Sequence, residues 1–131
     1  MPGKRILSVG QCFADHSAIS RTFERHFAAE VVGADNASEA VARLRQEHFD
    51  LVLVNRVLDA DGSAGLDLVK QIKAQEALRD VPVMLVSNYE DSQRQAVGLG
   101  ALPGFGKAAL GQPAMVARLQ AVLADASPDN G

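Results

Sequence analysis

One cysteine, no tryptophan, one tyrosine and no basic excess mark what this 131-residue chain has least of. The lone thiol, Cys12, can form no internal disulfide, and no Cys/His cluster shows zinc-ligand spacing, so the sequence offers neither a bridge framework nor a structural metal. A reducing compartment, the cytoplasm, is the expectation. No apolar run approaches the roughly 18 residues of a membrane helix, and the start MPGKRILSVGQ lacks the long apolar stretch of a secretory leader. The 13 Lys and Arg against 16 Asp and Glu leave a net charge of -3, the wrong sign for a nucleic-acid surface.

What is present is an ordinary globular composition, 47% hydrophobic and 22% charged. A chain of this length buries about two-thirds of the surface it exposes when unfolded, enough for one core without staples. One domain over residues 4–124 is expected, followed by a loose tail, 125–131.

Along the chain, short apolar runs alternate with helical periods. RILSVG (5–10) reads as a strand, followed by a helix with Ile19, Phe23 and Phe27 on one face. EVVGA (30–34) is a second strand, and Asn36 or Ser38 can cap a helix with Ala40, Val41 and Leu44 inward. DLVLV (50–54) is the strongest strand, its near-continuous apolar run typical of a strand covered on both faces. The loop NRVLDADGSAG leads into a helix with Leu66, Val69 and Ile72 at three-residue steps. VPVMLVS (81–87) is the fourth strand, 90–99 a weaker helix, 101–106 a poor fifth strand, and Pro113 opens a last helix carrying Val116, Leu119 and Leu123. Regular alternation predicts a doubly wound α/β fold, a parallel sheet with helices on both faces. Chemistry in such sheets sits at the carboxyl ends of the strands, here Gly10, Gln11 and Cys12, then Asn55, then Ser87 and Asn88, then Lys107.

ILSVGQ, FDLVLVN, GLDLVKQIK beginning at Gly65, VPVMLVSN and AVGLGALPGFGK stand in an order and spacing that resembles the receiver domain of two-component response regulators across residues 5–124. The resemblance implies a five-stranded flavodoxin-like sheet in the order 2-1-3-4-5. It also implies a site of two acids after strand 1 and an aspartate after strand 3 that together bind magnesium. That aspartate accepts a phosphoryl group from a histidine kinase, and a hydroxyl after strand 4 and a lysine after strand 5 contact the phosphoryl oxygens. By position the acidic pair falls on Gly10 and Gln11, the phosphoacceptor on Asn55, the hydroxyl on Ser87 and the lysine on Lys107. Only the last two match. The aromatic switch position, three residues before the lysine, is Gly104, with Phe105 expected on the opposite side, and Ala108 stands where proline commonly follows the lysine.

Magnesium prefers hard oxygen ligands, and a neutral amide is a poor nucleophile, so the expectation is neither metal nor cofactor binding and no catalytic residue. Asp15 is read as a capping or first-turn residue, and Asp59 and Asp61 as turn chemistry rather than replacement acceptors. The glycines of 98–107 match no phosphate-loop spacing, and His16, His26 and His48 lie without metal spacing. Lys107, lacking carboxylate partners, reads as a solvated relic or as an anion-binding cation beside Ser87.

The leading expectation is a stand-alone, non-enzymatic receiver that does not use phosphorylation. It would bind a signalling protein, a kinase or effector, through the face of the fourth helix, fifth strand and fifth helix, with a homodimer as one form of that contact. The alternative is a sensor of small anions or of thiol redox state built on Ser87, Asn88, Lys107 and Cys12.

Overall fold

The computed structural model describes residues 4–125. Its strands are β1 (Arg5–Val9), β2 (Glu30–Ala34), β3 (Leu51–Asn55), β4 (Val83–Val86) and β5 (Leu102–Phe105). They alternate with α1 (Phe13–Phe27), α2 (Ala37–Gln46), α3 (Gly65–Ala74), α4 (Glu90–Gly98) and α5 (Pro113–Asp125), with a short 3-10 turn at Lys107–Ala109. The expected tail lies outside the described residues except Asp125, which ends α5.

The strands form one sheet in the order β2-β1-β3-β4-β5, with every pair parallel. This is the flavodoxin-like doubly wound arrangement. Strand alternation divides the core in two. Leu7, Val9, Val52, Val54, Val83 and Leu85 face α2, α3 and α4, whereas Ile6, Leu51, Leu53, Met84 and Val86 face α1 and α5. The helices answer with the periodic residues: Ala40 and Leu44, Leu68, Val69 and Ile72, and Ala96 on one side, and Ile19, Phe23, Met115, Leu119 and Leu123 on the other. Leu66 and Val116 are only partly buried, so Leu68 and Met115 carry more of the packing than the three-residue steps implied.

Element ends differ from the periodicity by a residue or two, for local reasons. Asp50 is buried but precedes β3, because its carboxylate accepts the Arg5 N–H at 2.8 Å and contacts the His48 ring at 3.1 Å. Asn36, not Ser38, caps α2: its Oδ1 accepts the Glu39 N–H at 2.9 Å, and Glu39 Oε1 accepts the Asp35 N–H at 2.8 Å. β5 is an outer strand. Its pairing with β4 shifts register between Met84 and Val86, which face Leu102 and Phe105, and Pro103 stands inside this irregular stretch.

Candidate functional site

Parallel register brings β1, β3 and β4 to an end side by side. Val9 pairs with Val54, and Asn55 with Val86, so the segments that leave these strands emerge together at one edge. There the Asn55 side chain is a clip. Its Nδ2 donates to the Gly10 carbonyl oxygen at 3.0 Å and to the Val57 carbonyl oxygen at 2.8 Å. Gly10 O also accepts the Asp59 N–H at 2.9 Å, so the segment after β3 folds back over the end of β1.

An apolar plug completes that closure. Leu58 is wholly buried, while Gly10 has a φ of 75°. A Cβ at position 10 would lie 2.9 Å from the Leu58 Cα and overlap the Leu58 side chain. The rest of the loop is tied locally: Leu58 N–H donates to Ser63 O at 2.8 Å, Val57 bridges Ala64, and Asp61 Oδ1 accepts from Ser63 N at 3.0 Å and Oγ at 2.7 Å. The Ser63 hydroxyl, with its backbone N–H, holds the Asp61 carboxyl below its ordinary value.

Beside the clip lies a cleft of about 250 Å³ lined by Asn55, Arg56, Val57, Val86, Ser87, Asn88, Tyr89 and Lys107. Ser87 is buried and its Oγ accepts the Tyr89 N–H at 3.0 Å; Asn88 Oδ1 accepts the Ala108 N–H at 3.2 Å. The Arg56 guanidinium lies 4.7 Å from the centre of the exposed Tyr89 ring. Lys107 Nζ is 2.6 Å from Asp15 Oδ2 in the first turn of α1. The Lys107 ammonium holds the Asp15 carboxyl below its ordinary value, against partial burial that pushes it up and with help from the Cys12 thiol.

The fifth strand ends differently. Gly104 faces α4, where a Cβ would overlap the Leu85 carbonyl oxygen and lie 3.0 Å from Gln93 Oε1. Gln93 Oε1 accepts the Gly104 N–H at 3.0 Å, while its Nε2 donates to Leu85 O at 2.9 Å and to Ser87 O at 3.1 Å. Arg118 of α5 donates to Gly104 O at 2.6 Å. Phe105 points to the other side, buried against Phe23 with ring centroids 6.3 Å apart.

This sheet order and site placement coincide with a family match. The profile described as response regulator receiver domain matches residues 13–108. The chain belongs to the response regulator receiver domains. It is 29% identical over 130 residues to the phosphate regulon transcriptional regulatory protein PhoB of Pseudomonas aeruginosa, covering 98% of this chain and 55% of that protein. The chain thus spans about half the length of that relative. Among solved structures it resembles a putative response regulator from Chloroflexus aurantiacus, with TM-score 0.82, 17% identity and coverage of 95% and 99% of the two chains. NtrX from Brucella abortus gives TM-score 0.79 and 21% identity over 96% of this chain and 28% of that one. Membership implies interaction with kinases or effectors.

The receiver's magnesium site, carried onto this chain, meets a donor set that does not fit. No carboxylate lines the cleft, and the Asn55 amide presents N–H groups, not lone pairs, to the Gly10 and Val57 carbonyls. Among the described residues no three His, Cys, Asp or Glu side chains gather as metal ligands. Gln11 contributes no hydrogen bond: both its amide atoms are shielded from solvent and have no hydrogen-bonding partner among the described residues.

One sequence expectation needs correction in this receiver. Lys107 does have a carboxylate partner, because Asp15 at the start of α1 reaches it across the strand ends; it is neither a free relic nor a free anion-binding cation. Cys12, at the N-cap of α1, lies against Asp15, the partner of Lys107, and is not itself among the cleft-lining residues. Sequence reasoning also missed Leu58, Gln93 and Arg118. The signals available were a single leucine inside a polar loop and a glycine at the aromatic switch position. No helix among the described residues is long and apolar enough to cross a membrane.

Proposed function

We propose that this receiver domain works without phosphoryl transfer, as an atypical, non-enzymatic protein-interaction module of bacterial two-component signalling in the cytoplasm. The observation that carries this reading is the Asn55 clip. The nucleophile position holds an amide whose two N–H groups are both committed to backbone carbonyls. Gly10, closed off by Leu58, leaves no room for an acid beside it.

Partner binding is assigned to the face of α4, β5 and α5. Val97 is 44% and Leu102 36% exposed, Pro103 is exposed between the helices, and α5 turns Ala114, Ala117 and Ala121 outward. Arg94, the one cation of α4, is taken up by that helix's own acids, bonded to Asp91 and 3.8 Å from Glu90. A surface of small apolar groups with few free charges suits burial against a protein partner, a kinase, an effector or a second copy. Against the sensor reading, Lys107 is already paired with Asp15.

The test is intact-mass spectrometry after incubation with acetyl phosphate and magnesium. No added phosphoryl group is expected; an adduct at Asp59 or Asp61 would overturn the reading in favour of a displaced acceptor. Millimolar magnesium is likewise expected to leave the melting temperature unchanged.

A further inference from the structure

We propose that Gln93 is a fixed strut that stands in for the mobile aromatic ring at position 104, so that the face of α4, β5 and α5 is held in one arrangement whatever the state of the cleft at Asn55. This rests on the reading of that face as the interaction surface and adds how it is regulated. The register irregularity of β5 places the Gly104 N–H against α4, and Pro103 next to it has no N–H to give. Gln93 bridges this break. One amide accepts the N–H of β5 and donates to two carbonyls of β4, so a single side chain fastens α4 to both strands.

The fit is mutual. A Cβ at position 104 would overlap the Leu85 carbonyl oxygen and press on Gln93 Oε1 at 3.0 Å, so this arrangement of β5, β4 and the strut is built for glycine and has no place for a ring. Arg118 donates to Gly104 O, which links α5 to the same glycine. Both helices of the face, α4 and α5, are therefore tied to one residue of β5. α4 depends on this tie more than the other helices do, since Ala96 is its one buried core residue among those described. A bistable face needs an element with two packings; here the polar groups that could exchange partners are mutually satisfied in one.

The experiment is residue-resolved amide hydrogen exchange and NMR relaxation dispersion on the whole chain, comparing the parent with Gln93→Ala and Gln93→Glu. In the parent, Gly104 is expected to be protected and residues 90–105 to show no microsecond-to-millisecond exchange, with or without magnesium and beryllofluoride. In Gln93→Ala the Gly104 amide should exchange roughly tenfold faster or more, beyond any change in β1 and β3, and α4 should show dispersion. Gln93→Glu keeps the acceptor for Gly104 but sets carboxylate oxygen against the Leu85 and Ser87 carbonyls, so Gly104 stays protected while α4 loosens. Dispersion in the parent's α4, an unchanged Gly104 rate in Gln93→Ala, or uniform acceleration of every amide would overturn the strut. The interaction reading is judged separately, by whether Val97→Glu abolishes partner capture or self-association; its failure leaves the exchange result intact.

Discussion

Leu58 occupies the space that any side chain at position 10 would need. The glycine's left-handed backbone and the leucine's burial are two halves of one closure, in which a loop rich in aspartate and glycine sends its one leucine inward and lies over the end of β1. The coupling is measurable. Gly10→Ala should cost about 2–4 kcal/mol, combining backbone strain with overlap on Leu58, and Leu58→Ala about 2–5 kcal/mol through the cavity it leaves. In urea denaturation the double variant should fall short of the sum by at least ~1 kcal/mol; additivity within about 0.5 kcal/mol would mean that the two residues do not compete for one space.

Asn55→Asp removes both N–H donors and sets a carboxylate against the Gly10 and Val57 carbonyl oxygens. We expect a loss of about 1–3 kcal/mol at neutral pH. The introduced carboxyl is expected to have a raised folded-state pKa, so the loss grows as pH rises through that value and fades in acid. Urea midpoints of parent and variant at pH 7.5 and 4.5 check this, and equal stability at both would refute the clip.

The Asp15–Lys107 pair gives the opposite pH signature. Because the folded-state carboxyl of Asp15 lies below its ordinary value, its contribution is fully present above that value, about 3.9, and is lost as pH falls through the lower folded one. Side-chain exposures of 33% and 39% admit solvent screening, so the contribution is roughly 0.5–1 kcal/mol. Asp15→Asn should lower stability by that amount at pH 7 and by nothing near pH 2, with a smaller difference in high salt. A pH-independent difference would contradict the pairing.

Replacing the α2 cap, Asn36→Ala, should cost about 1 kcal/mol. Calorimetry should show a lower melting temperature, whereas Ser38→Ala should leave it unchanged, because Asn36 makes the bond to Glu39.

The parallel sheet and the two-sided core could be read in the sequence because they follow from period: Leu51, Val52, Leu53 and Val54 are apolar without a break, and Ile19 and Phe23 recur at helical spacing. The strand order 2-1-3-4-5 was legible only through the resemblance to receiver domains. Strand-end positions were equally legible, since parallel topology fixes where Gly10, Asn55, Ser87 and Lys107 must fall. Tertiary pairings were not. Asp15 meets Lys107 only because α1 starts beside the end of β5, and first-turn acids have an adequate local explanation of their own. Gln93 looks like a solvent-facing residue of a polar helix until the irregularity of β5 presents it with an unpaired N–H.

Pro103 and the register shift around it govern what the sheet can do beyond this molecule. An outer strand ordinarily offers a row of hydrogen-bonding groups onto which a foreign strand can zip, the starting point of runaway stacking. Here that row lacks a donor at 103, and it sits in a strand of only four residues with broken spacing. Growth of the sheet across β5 is therefore frustrated. Assembly on this side is expected through side-chain surfaces rather than through addition of strands to the backbone ladder.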